Sequence, residues 1–196
     1  MAEYEGRVVG YCATFRIDEA TALKPHTWAE ITGGGLASRH DPHGDWLYAM
    51  EVSVHPDHRG MRIGQRLYTA RKNLCIELKL RGIVYGGRLP GLARAIKRFG
   101  SAENYVQAVI EGRRRDPTLS FQLRNGFEVV GLLPAYEPHD HESLGFATHM
   151  VWRNPELHDQ PDVPHASGGL PMPSTVRVAS VQYQQRRITS YEEFAH

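Results

Sequence analysis

Cysteine is nearly missing from this chain of 196 residues, which has only Cys12 and Cys75. One falls in a strand-like stretch and the other on a helical one. No disulfide framework or thiolate metal spacing results, and reduced, packed thiols are expected. Net charge is missing too: 23 Lys and Arg stand against 22 Asp and Glu, a formal +1. That balance offers no electrostatic surface for nucleic acid or an anionic membrane. The cluster Arg113-Arg114-Arg115 reads as a solvated helix end. No apolar run approaches the roughly 18–20 residues that span a bilayer. The N-terminus lacks a signal-peptide pattern, so a cytoplasmic location is expected. Histidine is plentiful, with 11 residues. The pairs His55/His58, His40/His43 and His139/His141 invite a metal reading, but none joins a second pair at structural-zinc spacing, and no metal is expected.

A hydrophobic fraction of 41% and a charged fraction of 23% suit a globular chain of one ordinary domain plus a remainder. Arg7 to Ile17 alternates as a strand, with Glu5-Gly6 as the hairpin turn after a strand stub at Met1–Tyr4. Thr27 and Glu30 have capping-box spacing. Trp46 to Val54 reads as the next strand. A helix from about Ile63 to Arg81 follows, with an apolar stripe of Ile63, Leu67, Ala70, Leu74 and Leu78, and Gly82 at its end. Ile83–Tyr85 is a short strand running into Gly86-Gly87. Ser101 caps a helix carrying Tyr105, Val106 and Val109. Asp116-Pro117 opens another, which Asn125-Gly126 ends. Phe127–Leu133 and Phe146–Trp152 are the closing strands. Residues 155–174 are rich in Pro and Gly and read as a linker. Val176 to Tyr183 reads as a strand, and Ser190-Tyr191-Glu192-Glu193 as a capping box with little helix after it.

The most telling run is Val52-Ser53-Val54-His55-Pro56-Asp57-His58-Arg59-Gly60-Met61-Arg62-Ile63-Gly64-Gln65-Arg66-Leu67. A buried strand, a basic glycine-containing turn and an amphipathic helix in this order aim backbone N–H groups and a positive helix end at an anion. The anion expected is a pyrophosphate. Gly60 and Gly64 let the backbone come close, and Arg59, Arg62 and Arg66 add charge.

This run resembles the acetyl-CoA motif of the GCN5-related N-acetyltransferases, in which Gln or Arg, two free positions, Gly, one free position and Gly or Ala follow in order. Here it stands as Arg59-Gly60-Met61-Arg62-Ile63-Gly64, with Arg62 where the family usually has glycine. The order of later elements, including Gly126-Phe127 before the two last strands, is similar. The resemblance implies an α/β fold, a mixed sheet flanked by helices, over residues 1–154. The family's usual first strand and first two helices are missing from it, and Leu89–Arg115 is an extra helical insertion.

As cosubstrate the resemblance implies acetyl-CoA. It is held by backbone groups of Val52, Ser53 and Val54 and by Arg59, Gly60, Met61, Arg62, Ile63 and Gly64. The implied reaction is acetyl transfer to a small-molecule or protein amine by direct attack, since neither cysteine lies near the motif. Glu51, the carboxylate nearest the motif, is the expected base, its pKa raised if it is partly buried. His55 and His58 are rival bases and Tyr136 an alternative proton donor. Gln122 stands where many members carry a tyrosine that protonates the leaving thiolate, a role glutamine cannot fill.

Residues 175–196 resemble the opening strand of carbon–nitrogen hydrolases, and the whole chain resembles the front of fusions between the two families. A truncated hydrolase domain is therefore expected there. The alternative to catalysis is a non-catalytic acyl-CoA-binding module that regulates a fused amidohydrolase; a purely structural domain would bind no CoA. Exposed strand edges at both ends predict a homo-oligomer.

Overall fold

The computed structural model describes residues 1–158. Most of the expected linker, the strand at 176–183 and the capping box at Ser190 lie outside the described residues. β1 (Ala2–Tyr4) and β2 (Arg7–Ile17) form the expected hairpin. Glu5 and Gly6 both take positive φ, 50° and 74°, in the two-residue turn whose twist matches paired strands. Two short helices follow, α1 (Glu19–Ala22) and α2 (Trp28–Thr32); α2 carries the Thr27/Glu30 capping box. Then come β3 (Trp46–Val54), α3 (Ile63–Glu77) and β4 (Gly82–Arg88). Helices α4 (Leu92–Phe99), α5 (Ala102–Ile110) and α6 (Pro117–Arg124) precede β5 (Glu128–Leu133), β6 (Ala147–Arg153) and α7 (Pro155–His158).

The six strands lie in the order β1-β2-β3-β4-β6-β5, with β3–β4 parallel and every other pair antiparallel. This is the mixed sheet expected. Alternation along the strands divides the core. Leu47, Ile83, Tyr85 and Met150 face the helices after β3, whereas Trp46, Tyr48, Val84 and Val151 face α1 and α2. Buried Asp116 ties the insertion to the body. Its carboxylate caps α6 through Thr118 and Leu119 N–H and also accepts from Tyr105 Oη (2.7 Å) and Gly91 N–H (2.9 Å).

Four expectations need correction. α3 stops at Glu77 instead of Arg81, because Lys79 turns left-handed (φ 51°) and drives buried Leu80 into the core. Gly82 does not end the helix; it opens β4, where a Cβ would strike the Trp152 carbonyl and the Trp46 ring. The buried stripe of α3 is Ile63, Leu67, Tyr68, Arg71 and Cys75, and Ala70, Leu74 and Leu78 are exposed. A charged residue on the inner face hid that stripe from an apolar-periodicity reading. Finally, the first turn of the expected linker is helical, Pro155–His158.

Candidate active site

Two left-handed residues build the turn before α3, Gly60 (φ 82°) and Arg62 (φ 58°, ψ 17°). Arg62 therefore stands in a conformation that costs a non-glycine residue roughly 1–2 kcal/mol and glycine almost nothing. It is also the N-cap of α3 and makes no side-chain capping bond. The first-turn N–H groups of a 15-residue helix are thus left for an external acceptor. Gly64 sits in that turn with ordinary helical backbone. A Cβ there would meet nothing nearer than Phe121 Cζ at 3.7 Å and Val54 Cγ2 at 4.0 Å. Neither strain nor packing within the protein calls for glycine at this point, as close approach of a ligand would.

Arg59, Met61 and Arg62 are exposed, and Ile63 is a packing anchor against Val9 and Leu67. Val52, Val54, Arg59, Gly60, Gly64 and Phe121 line a groove of about 610 Å³, a volume suited to a small-molecule ligand. His58 lines it too, and its Nδ1 is buried with no partner among the described residues. His55 and His58 stack edge to face at 5.4 Å; no group of three metal-ligating side chains occurs among the described residues.

Beside the groove the sheet opens. β3 and β4 pair only from Trp46/Gly82 to Tyr48/Val84. Beyond that point the two strands are no longer partners, and the β4-facing edge of Val52, Ser53 and Val54 is open to an extended chain that pairs like a strand. A β-bulge accompanies the opening: Thr14 pairs with Ala49 but Ala13 with Glu51, leaving Met50 as the extra residue. Buried Arg71 on α3 holds the bulge, donating from Nη2 to the Glu51 carbonyl (2.8 Å) and the Ala13 carbonyl (3.2 Å). Ala49 and Val52 both pack on the α3 side, so Met50 and Glu51 share the opposite face. The Glu51 side chain is exposed, and the partial burial that would strengthen it as a base is not present.

On β4, Gly86 and Gly87 are each covered by a side chain of the protein. A Cβ on Gly86 would strike the Tyr136 ring, 2.2 Å from its Cζ; one on Gly87 would strike the Gln122 amide and come within 2.7 Å of Thr148 Oγ1. Gln122 is buried, and its carboxamide oxygen has no partner among the described residues.

A buried polar cluster lies on the α1/α2 side of the sheet, around Tyr48. Tyr136 Oη lies 2.8 Å from Tyr48 Oη, which lies 3.0 Å from His26 Nε2. Burial pushes the Tyr136 hydroxyl up to about 12 and raises Tyr48 further. The ring of His149 stands edge-on to His26 at 5.3 Å, and its Nε2 meets the Ala22 carbonyl at 3.1 Å. Burial, with His26 adding repulsion, pushes His149 down to about 4. The unfolded chain therefore binds more protons than the folded one between pH 6.5 and 4. Stability is complete above about pH 6.5 and declines by ~3 kcal/mol as pH falls to about 4. Urea unfolding at pH 7.5 and 4.5 should show this decline, and His149→Gln should flatten it.

His26, Tyr48 and Arg71 escaped the sequence reading. The hydroxyls of Tyr48 and Tyr136 meet across 88 positions, a distance no local pattern spans. Arg71 had one signal, its i+4 spacing after Ile63 and Leu67.

The acetyltransferase (GNAT) family model matches residues 1–99. The "Probable hydrolase YhcX" of Bacillus subtilis (strain 168) is 39% identical over 195 residues, which is all of this chain and 37% of that protein. The "Uncharacterized N-acetyltransferase YkwB" of the same organism is 35% identical over 149 residues, 76% of this chain and 65% of that protein. The chain thus spans less than two thirds of either curated relative. Among solved structures, a "GphF GNAT-like decarboxylase in complex with isobutyryl-CoA" is similar at TM-score 0.64 and 25% identity, covering 78% of this chain and 76% of that one. The "loading GNATL domain of CurA from Lyngbya majuscula" shares the fold at TM-score 0.62 and 21% identity, covering 78% and 74%. The cleft between diverging β3 and β4, the uncapped turn before α3 and these matches agree, and the chain belongs to the GNAT acetyltransferase family.

Proposed function

We propose that this domain transfers an acetyl group from acetyl-CoA to an amine by direct attack. The observation that carries this reading is the cleft. Pairing of β3 and β4 ends at Tyr48/Val84, beside a helix start whose N–H groups await an anion. An acyl-CoA would lay its pyrophosphate on the Arg59–Gly64 turn and its arm along Val52, Ser53 and Val54. That acyl-CoA is the ligand class is supported by the isobutyryl-CoA held by the 25%-identical neighbour.

Glu51 is the proposed carboxylate of the acceptor side. Exposed on the face it shares with Met50, it draws an alkylammonium toward the cleft and takes its first proton through water. Glu51→Gln should lower kcat/KM for the amine at least tenfold and leave acetyl-CoA affinity unchanged. Unchanged turnover at every pH would remove Glu51 from the mechanism.

A second reading has Gln122 in its favour: a non-catalytic acyl-CoA sensor serving a carbon–nitrogen hydrolase. The likeness of residues 175–196 to such hydrolases and the match to a probable hydrolase support that setting. An amine screen that follows release of the CoA thiol separates the two readings, since a sensor binds acetyl-CoA and releases no thiol with any acceptor. Self-association through the open edge of β1 is proposed as well. Light scattering should then give a mass above 22.1 kDa.

A further inference from the structure

We propose that Tyr68 is the proton donor to the departing CoA thiolate, the role that Gln122 cannot fill. The inference deepens the acyl-transfer reading and rests on it.

Tyr68 lies one helical turn after Gly64, so the two share a face of α3, and both line the groove with Val52 and Phe121. A ligand anchored at the start of α3 and running along Val52 therefore passes the Tyr68 side chain. Tyr68 also shares a core cluster with Ala49 and Tyr85. Ala49 follows Tyr48, the last β3 residue paired with β4, and Tyr85 follows its partner Val84. The ring thus stands between the groove and the point where the two strands part. Aromatic neighbours hold it there, each near perpendicular to it: Phe121 at 5.1 Å, Phe127 at 5.5 Å and Tyr85 at 6.4 Å. Tyr136, by contrast, is bonded to Tyr48 on the other side of the sheet.

The surroundings of the hydroxyl suit a phenol that gives up its proton. The Tyr85 hydroxyl is its neighbour, yet no hydrogen bond joins the two, and Tyr85 Oη is buried with no partner among the described residues. Arg71 Nε is buried and unpartnered in the same way, and the guanidinium carbon lies 5.8 Å from the centre of the Tyr68 ring. Two idle donors of this kind cost the folded protein stability. A tyrosinate at Tyr68 would use both, accepting from Tyr85 and drawing on the charge of Arg71. Burial, reinforced by the Tyr68 hydroxyl, pushes Tyr85 well above its ordinary range, so Tyr85 keeps its proton and Tyr68 is the one of the pair to ionise. The ionisable groups at the ring are Tyr85 from β4 and Arg71 from α3. From α6 comes Phe121, and before β5 Phe127, with Lys72 Nζ over that second ring at 5.2 Å.

As the neutral amine bonds to the thioester carbon, the C–S bond breaks and its electron pair goes to sulfur. Tyr68 gives its phenol proton to that sulfur and becomes a tyrosinate, to which Tyr85 donates. The new C–N bond leaves a surplus proton on nitrogen, which goes to water. Once the thiol has left the groove, water reaches Tyr68 and returns a proton to it.

The test uses Tyr68→Phe, which keeps the ring and its aromatic neighbours and removes the proton. Acetyl-CoA affinity and the melting midpoint should stay within error of the wild type, while kcat falls at least tenfold. The alkaline limb of the pH–rate profile, where the phenol ionises, should vanish in Tyr68→Phe. It should move to lower pH when a fluorinated, more acidic tyrosine stands at position 68. Wild-type kcat in Tyr68→Phe, or an alkaline limb that neither replacement moves, would overturn the assignment.

A second readout needs no turnover. In carbon-resolved NMR of the tyrosine rings, with Tyr68→Phe identifying the resonance, CoA should shift Tyr68 Cζ and desulfo-CoA should not. Equal shifts with both would mean that the sulfur lies elsewhere and would overturn the assignment too. A wild type that transfers to no amine yet shows the sulfur-dependent shift would defeat the acyl-transfer reading and keep Tyr68 at the thiol. A wild type that binds neither compound would defeat both.

Discussion

Gly64→Ala is expected to weaken acetyl-CoA binding at least tenfold in calorimetric titration while raising the melting midpoint slightly. The two effects have opposite signs for separate reasons. Alanine is the better helix former by roughly 0.5–1 kcal/mol, and the added methyl would meet Phe121 Cζ at an ordinary 3.7 Å. The free protein has no objection to it. A ligand lying on the first-turn N–H groups of α3 does, because the methyl stands over them. Gly64→Glu goes further: a carboxylate suits a helix start in the free protein but repels a pyrophosphate, and binding should vanish. Arg62→Glu should do the same by charge alone. If Gly64→Ala binds acetyl-CoA like the wild type, the cofactor does not rest on this turn.

Arg71→Ala should lower the unfolding free energy by ~2–4 kcal/mol, which for a domain of this size is a fall of roughly 6–12 °C in melting midpoint. Arg71 is 3% exposed, and no acidic side chain pairs with it among the described residues. Its work is to satisfy two carbonyls at the bulge, Glu51 at 2.8 Å and Ala13 at 3.2 Å. Losing it leaves both carbonyl oxygens short of a donor and opens a void under β3. Arg71→Met separates these effects, since it refills the volume without the donors and should recover about half the loss. A methionine variant as stable as the wild type would mean that the bulge holds itself. Because the bulge sets Met50 and Glu51 on one face, Arg71→Met should also lower amine turnover more than acetyl-CoA affinity.

Local chemistry made much of this molecule readable from its sequence. The hairpin at Glu5-Gly6, the capping box of Thr27 and Glu30 and the Asp116-Pro117 helix start all stand where turn and capping rules put them. The Val52–Leu67 run also formed as read, with Arg62 in the left-handed conformation that glycine would adopt. What stayed hidden depends on side chains meeting across the fold. Arg71 broke the apolar periodicity of α3 because its partners are backbone carbonyls on β2 and β3. Gly82 mimicked a helix stop, though the reason for glycine there is Trp152, 70 positions away. The partial burial on which a raised Glu51 pKa depended is absent, because a bulge, invisible to strict alternation, turned the side chain outward. Helix α4 inside the Leu89–Arg115 insertion carries no side-chain cap and left no start signal to read.

The two halves of the site are built at different times. The turn proposed to hold the pyrophosphate is local, and all its residues have left the ribosome once β3 and α3 have. The Tyr48–Tyr136 hydroxyl pair closes a loop of 88 positions, and Tyr136 lies in the connection that leads to β6. At translation speeds of about 5–20 residues per second, several seconds separate the two events. During that interval the nascent domain would carry the proposed anion site without a finished cleft. A CoA molecule met on the ribosome would act there as a folding ligand, bound before there is any chemistry for it to undergo.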